Sequence, residues 1–420
     1  MAYSITNEQG NVNNTGYIIS ELLFMVYLAL MPTPQKQNSE EKKRINREQW
    51  IANAHEAIAA QELMIAQNKK PYKAFKDKER FFIQECMYPD GSHVMVKISA
   101  PNPIARVILN KEAYWYERVQ ELVNEAHKKG ILIPIRFPKV VDIFVYKEHE
   151  VMITQYVVDD WVGFKNIPQE ERENIILTII DGMQKLPIPE EQLTMPIDKK
   201  LIRVVMAADY PVRAKKYLGK LVAEGVIDNK DSQTIISLIE ENVAAINKFP
   251  MKLDHGDLHI GNFRYSKNPQ TGEDIITLFD LEMMSIRPLF SMTAAAANFF
   301  DLAALAHVHP ERDIYPEILS DIPTFNTLFS VAQMIEKIEK KFILNDKRQR
   351  DARLVYRLMR IDDCYVRLAD ILYESQIVNE KPNKVEIDSY KGILSQQLMH
   401  IRRERMIEVQ KSKGMPEFDY

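Results

Sequence analysis

His255, Asp257 and Asn262 stand in one short stretch, and Asp280 closes an apolar run of Ile275, Ile276, Leu278 and Phe279. Between Asn262 and Asp280 lies Asn268-Pro269-Gln270-Thr271-Gly272, a run of turn residues. A strand, that turn and a second strand return Asn262 and Asp280 to the same end of a hairpin. Phosphoryl transfer from ATP asks for such a set. A carboxylate must accept a hydrogen bond from the attacking hydroxyl and then take its proton. Hard oxygen ligands, commonly one or two from the protein, must hold Mg²⁺ against the phosphates. Rigid backbone must carry them, because the catalysis is mostly positioning and charge neutralisation. Asp257 suits the base, and Asn262 and Asp280 suit the metal.

Two other readings use the same residues. Asp and Asn also cap and close hairpins, with no chemistry attached. His255 and His259 around Asp257 hint at the metal cluster of a hydrolase, which needs further ligands at matching spacing. The chain has nine histidines, so seven remain, and none sits in a comparable cluster.

The elements that must position these residues follow from pattern. Phe81 to Tyr88 reads as a strand, Pro89-Asp90-Gly91-Ser92 as a turn, and Val94 to Ser99 as a second strand. Residues 109–128 have helical periodicity, and strands follow at Val140–Tyr146 and Val151–Val157. Beyond Trp161 the texture is helical, with segments expected at 171–186, 199–224, 231–248, 323–343 and 348–376. The β-like island at 251–282, where the candidate residues lie, interrupts it. Ser39-Glu40-Glu41 reads as a helix start, with helical periodicity to about Lys69 through Trp50, Ile51, Ala54, Ile58, Leu63 and Ile65.

HGDLHIGN followed by FDLE resembles the catalytic and metal-binding motifs of the aminoglycoside phosphotransferase and choline kinase families, within the protein-kinase-like superfamily. The resemblance implies Asp257 as catalytic base and Asn262 and Asp280 as Mg²⁺ ligands, with Glu282 as an auxiliary ligand and His255 holding the loop. Asp301-Leu302-Ala303 resembles a downstream family motif whose Asp braces the catalytic loop. Met95-Val96-Lys97-Ile98 resembles the family strand that bears a phosphate-binding lysine. Alternation puts Lys97 on the face opposite Val94, Val96 and Ile98. Glu112 matches the lysine's partner, with Glu117 as the alternate. Adenine contacts are expected along the connector at Gln155, Tyr156 and Val157. The fold implied is α+β and bilobal, protein-kinase-like, with a small β-sheet N-lobe, a large helical C-lobe and an extra N-terminal helical region. Its expected divisions are residues 1–70, with a disordered start and then helices, 71–158 for the N-lobe and 159–420 for the C-lobe.

One departure is visible. No glycine lies between Gly16 and Gly91, so the turn near Lys73–Arg80 has no glycine-rich loop for cradling phosphates by backbone approach. Its lysines substitute in part by charge. No Ala-Pro-Glu follows Asp280-Leu281-Glu282, which points away from a protein acceptor and toward a small hydroxyl compound, such as an aminoglycoside, amino alcohol or sugar. Asp159, Asp160, Asp362 and Asp363 are candidates to meet a cationic acceptor, although solvated or capping roles suit them better. The competing expectation is a catalytically weak, kinase-like binding or regulatory protein that uses its N-terminal helices on a partner.

Composition sets the outer limits. At 420 residues the chain is long enough for two or more packed units. With 46% hydrophobic and 27% charged residues and a net charge of −4, it is globular and lacks the basic excess of a nucleic-acid binder. Two distant cysteines, Cys86 and Cys364, fit buried thiols in a reducing cytoplasm. Tyr17 to Met31 is nearly continuously apolar but runs to only fifteen residues, short of the ~20 that span a bilayer. It reads as a buried or partner-facing helix, with membrane contact as the alternative because Lys42, Lys43, Arg44 and Arg47 follow.

Overall fold

The computed structural model describes residues 39–66, 80–158, 164, 166–194, 203–258, 260–308, 331–346, 348–378 and 382–412. The Tyr17–Met31 segment, Lys73 to Glu79, Asp159, Asp160 and His259 lie outside them. No helix among the described residues is long and apolar enough to cross a membrane.

Helix α1 (Ser39–Ala60) leads into a five-stranded antiparallel sheet of β1 (Met64–Ile65), β2 (Phe81–Met87), β3 (His93–Ser99), β4 (Val140–Tyr146) and β5 (His149–Gln155), in the order β1-β2-β3-β5-β4. Helix α2 (Pro103–Lys128) connects β3 to β4. The β2–β3 register sets Ile83 opposite Lys97, and the β3–β5 register sets Met152 there, so these side chains share one face. Val94, Val96 and Ile98 project to the other face and are buried, as alternation requires. The β2–β3 turn forms as expected: Gly91 takes a positive φ of 85°, and the Ser92 amide donates to Asp90 Oδ1 at 2.8 Å.

The helical part contains α3 (Gln169–Lys185), α4 (Glu190–Thr194), β6 (Arg203–Val204), α5 (Tyr210–Ala223), α6 (Asn229–Ile246), β7 (Met251–Asp254), β8 (Phe263–Lys267), β9 (Asp274–Leu278), β10 (Ser285–Pro288), α7 (Ser291–Val308), α8 (Val331–Ile338), α9 (Gln349–Val378) and α10 (Lys384–Ser412). Strands β8 and β9 form the anticipated hairpin, Phe263 opposite Leu278 at its open end and Gly272 in the turn with φ 73°. Strands β6, β10 and β7 make a small sheet under the candidate site. The two parts meet directly: the Arg136 amide donates to Ile276 O and Leu278 N returns a bond to Arg136 O. Buried apolar residues run through both as one contiguous core. The architecture is the bilobal α+β arrangement expected, with a small sheet lobe set on a large helical one.

Three local expectations are corrected. The first helix stops at Ala60 rather than near Lys69, and Met64-Ile65 pairs with Met87 and Cys86 as an edge strand. Backbone pairing to β2 outweighs the local helical pattern there. The helix also lies on the sheet, with buried Trp50 donating its indole N–H to Ser99 O at 3.1 Å. Helix α2 begins at Pro103 rather than at residue 109. Asn102 caps it by accepting from the Ala105 amide, and Pro103 occupies its first turn, where a missing N–H costs nothing. The helix expected over 199–224 begins at Tyr210, because Arg203-Val204 pairs in parallel with Ser285-Ile286, a partner no local window contains. The helix expected from 323 is described from Val331 and ends in a π-turn over Glu339–Ile343.

Candidate active site

The loop after β7 is fixed from several sides. Gly256 has φ 78°, and a Cβ there would sit 2.3 Å from Met283 O, so only glycine fits. Its amide donates to Asp254 Oδ1 at 2.8 Å. His255 is fully buried. Its Nδ1 receives the Asp257 amide at 3.4 Å, and its Nε2 therefore carries the proton donated to Phe279 O at 3.0 Å. Asn262 donates through Nδ2 to Asp257 O at 2.9 Å and, more weakly, to Asp257 Oδ2 at 3.4 Å. The Phe279 amide donates to Asn262 O. Asp257, Asn262 and the residue before Asp280 are thus tied by consecutive hydrogen bonds, so the hairpin gathers them as its length required.

Asp280 stands in the left-handed region at φ 60° and ψ 62°. Asp tolerates this conformation better than most residues, at a cost of order 1 kcal/mol. Tyr116 of α2 holds it there by accepting the Asp280 amide on its hydroxyl at 2.9 Å. One turn earlier on the same helix, Glu112 receives Lys97 Nζ at 2.7 Å. Lys97 also reaches Asp280 Oδ1 at 3.2 Å and lies 3.8 Å from Glu282 Oε2. Of the two expected partners, Lys97 takes Glu112; Glu117 is exposed.

The charges here are unbalanced. Burial works against the Lys97 cation, yet Asp280, Glu112 and Glu282 together hold its pKa well above the ordinary lysine value. Burial also dominates at Glu112; Lys97 opposes it, Asp280 and Glu282 add like-charge repulsion, and its pKa is pushed up to about 7. Glu282 is shifted the same way, by burial first and by Asp280 second. Ligand oxygens of Glu112, Asp280 and Glu282 lie within 4.8 Å of one another. Clustered carboxylates that repel one another are what a divalent cation relieves, so this donor set fits Mg²⁺. Asn262, with its amide nitrogen committed to Asp257, keeps Oδ1 as an acceptor.

Sequence reasoning missed two residues. Arg367 of α9 donates through Nη2 to Asp257 Oδ1 at 2.9 Å and to Gly256 O at 3.1 Å, clasping the candidate base and the residue before it. Arg80, immediately before β2, donates to Glu282 Oε1 at 2.7 Å. Both are distant in sequence from the motif, and an arginine alone carries no local signal. Arg264 adds a third clasp, to Gly261 O and Phe263 O, with its guanidinium 4.6 Å from the centre of the Phe279 ring.

The remaining expected residues fall as follows. Asp301 is held by Arg360, which also donates to Asn298 Oδ1 at 2.7 Å. Asn298 in turn donates to Asp363 Oδ2 at 2.9 Å, and Asp363 lies 3.9 Å from Arg367. Among the described contacts, Asp301 therefore reaches the catalytic loop through a relay across α7 and α9. Neither Asp362 nor Asp363 is a solvated charge. Asp362 is buried against Arg213 at 3.1 Å and receives the Tyr365 hydroxyl, while Asp363 belongs to the relay, so both carboxylates already have partners. Gln155 ends β5 with its amide given to Lys139 O; Tyr156 tilts against the His93 ring at 5.7 Å, and Val157 is half-buried.

No family model and no curated protein matches the chain. Solved structures of kinases do. An amicoumacin kinase in complex with AMP-PNP and Ca²⁺ is 11% identical, with 85% of this chain and 96% of that one covered and a TM-score of 0.47. An ADP-bound aminoglycoside phosphotransferase is 12% identical, with 81% and 95% covered and a TM-score of 0.46. An aminoglycoside phosphotransferase with streptomycin and ATP is 12% identical, with 86% and 97% covered and a TM-score of 0.44. The chain is similar to these kinases over most of its length, and the chemistry of its cleft rests on its own side chains.

Proposed function

We propose that this chain is a Mg·ATP-dependent phosphotransferase that moves the γ-phosphoryl group to a hydroxyl of a small molecule. The observation that carries the reading is the set of contacts from Asp257 to Asn262, from Asn262 to Phe279 beside Asp280, and from Asp280 to Lys97 and Glu112. In it Asp257 accepts a hydrogen bond from the acceptor hydroxyl and takes its proton as that oxygen bonds to the γ-phosphorus and the bond to the bridging oxygen of the departing ADP breaks. Arg367 keeps that carboxylate aimed. Lys97, anchored by Glu112, meets the phosphates. Asn262, Asp280 and Glu282 would hold Mg²⁺, which would supply charge neutralisation at the transferring group. Adenine lies along Gln155 to Val157.

A small acceptor suits the chain after Glu282. It enters β10 and then α7 at Ser291, with no long segment between them to present a protein substrate. A cationic acceptor finds no ready counter-charge in Asp362 or Asp363, both already engaged. The free, buried thiols of Cys86 and Cys364 suit the cytoplasm.

A Mg²⁺-dependent thermal shift with ATP, followed by ATP turnover against a panel of hydroxyl acceptors, tests the activity. Asp257→Asn should lose about 10²–10⁴-fold in turnover while nucleotide binding is retained. An unchanged rate would remove Asp257 as the base, and nucleotide binding without turnover across the panel would make the chain a binding protein.

A further inference from the structure

The segment expected to cover the phosphates contains no glycine, and it ends at Arg80. The Arg80 backbone is anchored, its carbonyl accepting the Ala100 amide at 2.7 Å. The side chain differs: half exposed, it leans past Phe81, whose ring centre is 5.5 Å from the guanidinium carbon, and places Nη2 2.7 Å from Glu282 Oε1. Lys97 Nζ is 4.4 Å from the same ring. Both cations thus lie against the Phe81 ring and converge on one carboxylate. They are not equivalent. Lys97 is enclosed and fixed by Glu112, whereas Arg80 stands at the rim with room to turn.

Glu282 belongs to the cluster that fits a divalent cation. A guanidinium and a metal ion both draw on its charge, so each weakens the hold of the other. An arginine freed at that place has planar paired donors suited to phosphate oxygens.

We propose that Arg80 is a phosphate-binding residue that exchanges partners: it pairs with Glu282 in the nucleotide-free protein, and turns to the polyphosphate of Mg·ATP while Glu282 passes to the metal. It performs by charge what a glycine-rich loop performs by backbone amides. The inference rests on the phosphotransferase reading, and the experiment separates the two.

Mn²⁺ binding without nucleotide, and Mg·ATP and AMP binding, are measured calorimetrically on the full chain, wild type and Arg80→Ala. Loss of Arg80 should tighten Mn²⁺ by about 3–10-fold, because Glu282 is released and the local field is more negative. It should weaken Mg·ATP by about 10–50-fold, the worth of a charge-assisted phosphate contact, and leave AMP within about twofold. Arg80→Lys, which keeps the charge but not the paired donors, should fall between. Unchanged Mn²⁺ affinity, or equal losses for Mg·ATP and AMP, would overturn the exchange. A wild-type chain that binds no Mg·ATP would remove the phosphotransferase reading, and the exchange with it.

Discussion

Two buried charge clusters in this molecule are built on opposite plans. In the helical lobe, Arg213 meets Asp362 through Nε at 3.4 Å and Nη2 at 3.1 Å, and Tyr365 gives Asp362 its hydroxyl. Both side chains are almost wholly enclosed, at 0% and 3% exposure. In the cleft, Glu112, Asp280 and Glu282 crowd around Lys97, and Arg80 approaches only at the rim. There three carboxylates crowd one enclosed lysine, and two of them are pushed toward protonation. The first cluster is an enclosed pair of opposite charges. The second is complete only with a further positive charge, which separates a binding site from an internal strut.

Matched substitutions break or sharpen that contrast. Asp280→Asn keeps a residue that tolerates the left-handed backbone and removes a metal ligand. Turnover should fall by about 10²–10³-fold, while the melting temperature stays level or rises because like-charge repulsion is relieved. Asp362→Asn is chemically the same change, yet it removes a carboxylate that two Arg213 nitrogens meet in the interior, and about 3–5 kcal/mol of folding stability should be lost. Urea unfolding and turnover measured on both variants read the difference. A destabilised Asp280→Asn, or an Asp362→Asn as stable as wild type, would erase the distinction.

Legibility followed the same division. Asp257, Asn262 and Asp280 could be found in the sequence because their chemistry is concentrated in one island whose turn residues announce a hairpin. Lys97 and Glu112 were legible because their strand and helix resemble a family pattern, with strand alternation setting Lys97 opposite Val94, Val96 and Ile98. The lobes could be read because strands, a helix and a long helical run alternate in texture. What stayed hidden depends on distant partners. Two-residue strands such as Met64-Ile65 and Arg203-Val204 exist through long-range pairing, and periodicity cannot show them. Asp362 looked like a surface charge because its partner Arg213 lies 149 residues away. Arg367 is one of many arginines on helical texture, and only folding brings it to Asp257.

Arg367 lies between the two plans, tied to the relay of Asp363 and Asn298 on one side and to the catalytic loop on the other. Arg367→Ala should lower turnover by about 10–100-fold at saturating ATP, since a misaimed base misplaces the attacking hydroxyl. Nucleotide affinity should change by less than about twofold, because Arg367 faces Asp257 rather than Lys97 and Asp280. Arg367→Lys should recover little, as one ammonium reproduces a two-acceptor clasp poorly. Steady-state kinetics with the split between turnover and apparent ATP affinity decides it. An equal loss in both would mean that Arg367 supports the whole cleft and not the base.

The smallest expected effect is on stability against pH, where Glu112 contributes alongside Glu282. The Glu112 pKa is pushed up to about 7, against 4.5 in an unfolded chain. Between those values the folded protein binds more protons than the unfolded one, so this contribution to stability is complete below pH 4.5 and is lost as pH rises through 7. The nucleotide-free protein should therefore melt progressively lower across that window, and Glu112→Gln, which cannot titrate, should flatten this part of the slope. Saturating Mg²⁺ should flatten it as well, since an ion at Asp280 and Glu282 removes the like-charge share of the Glu112 shift. A series of melting curves from pH 4.5 to 7.5, with and without Mg²⁺, reads all three cases. A slope that Glu112→Gln leaves unchanged would mean that Lys97 already holds this carboxylate ionised, and that the cleft is as balanced before metal binding as the helical-lobe pair.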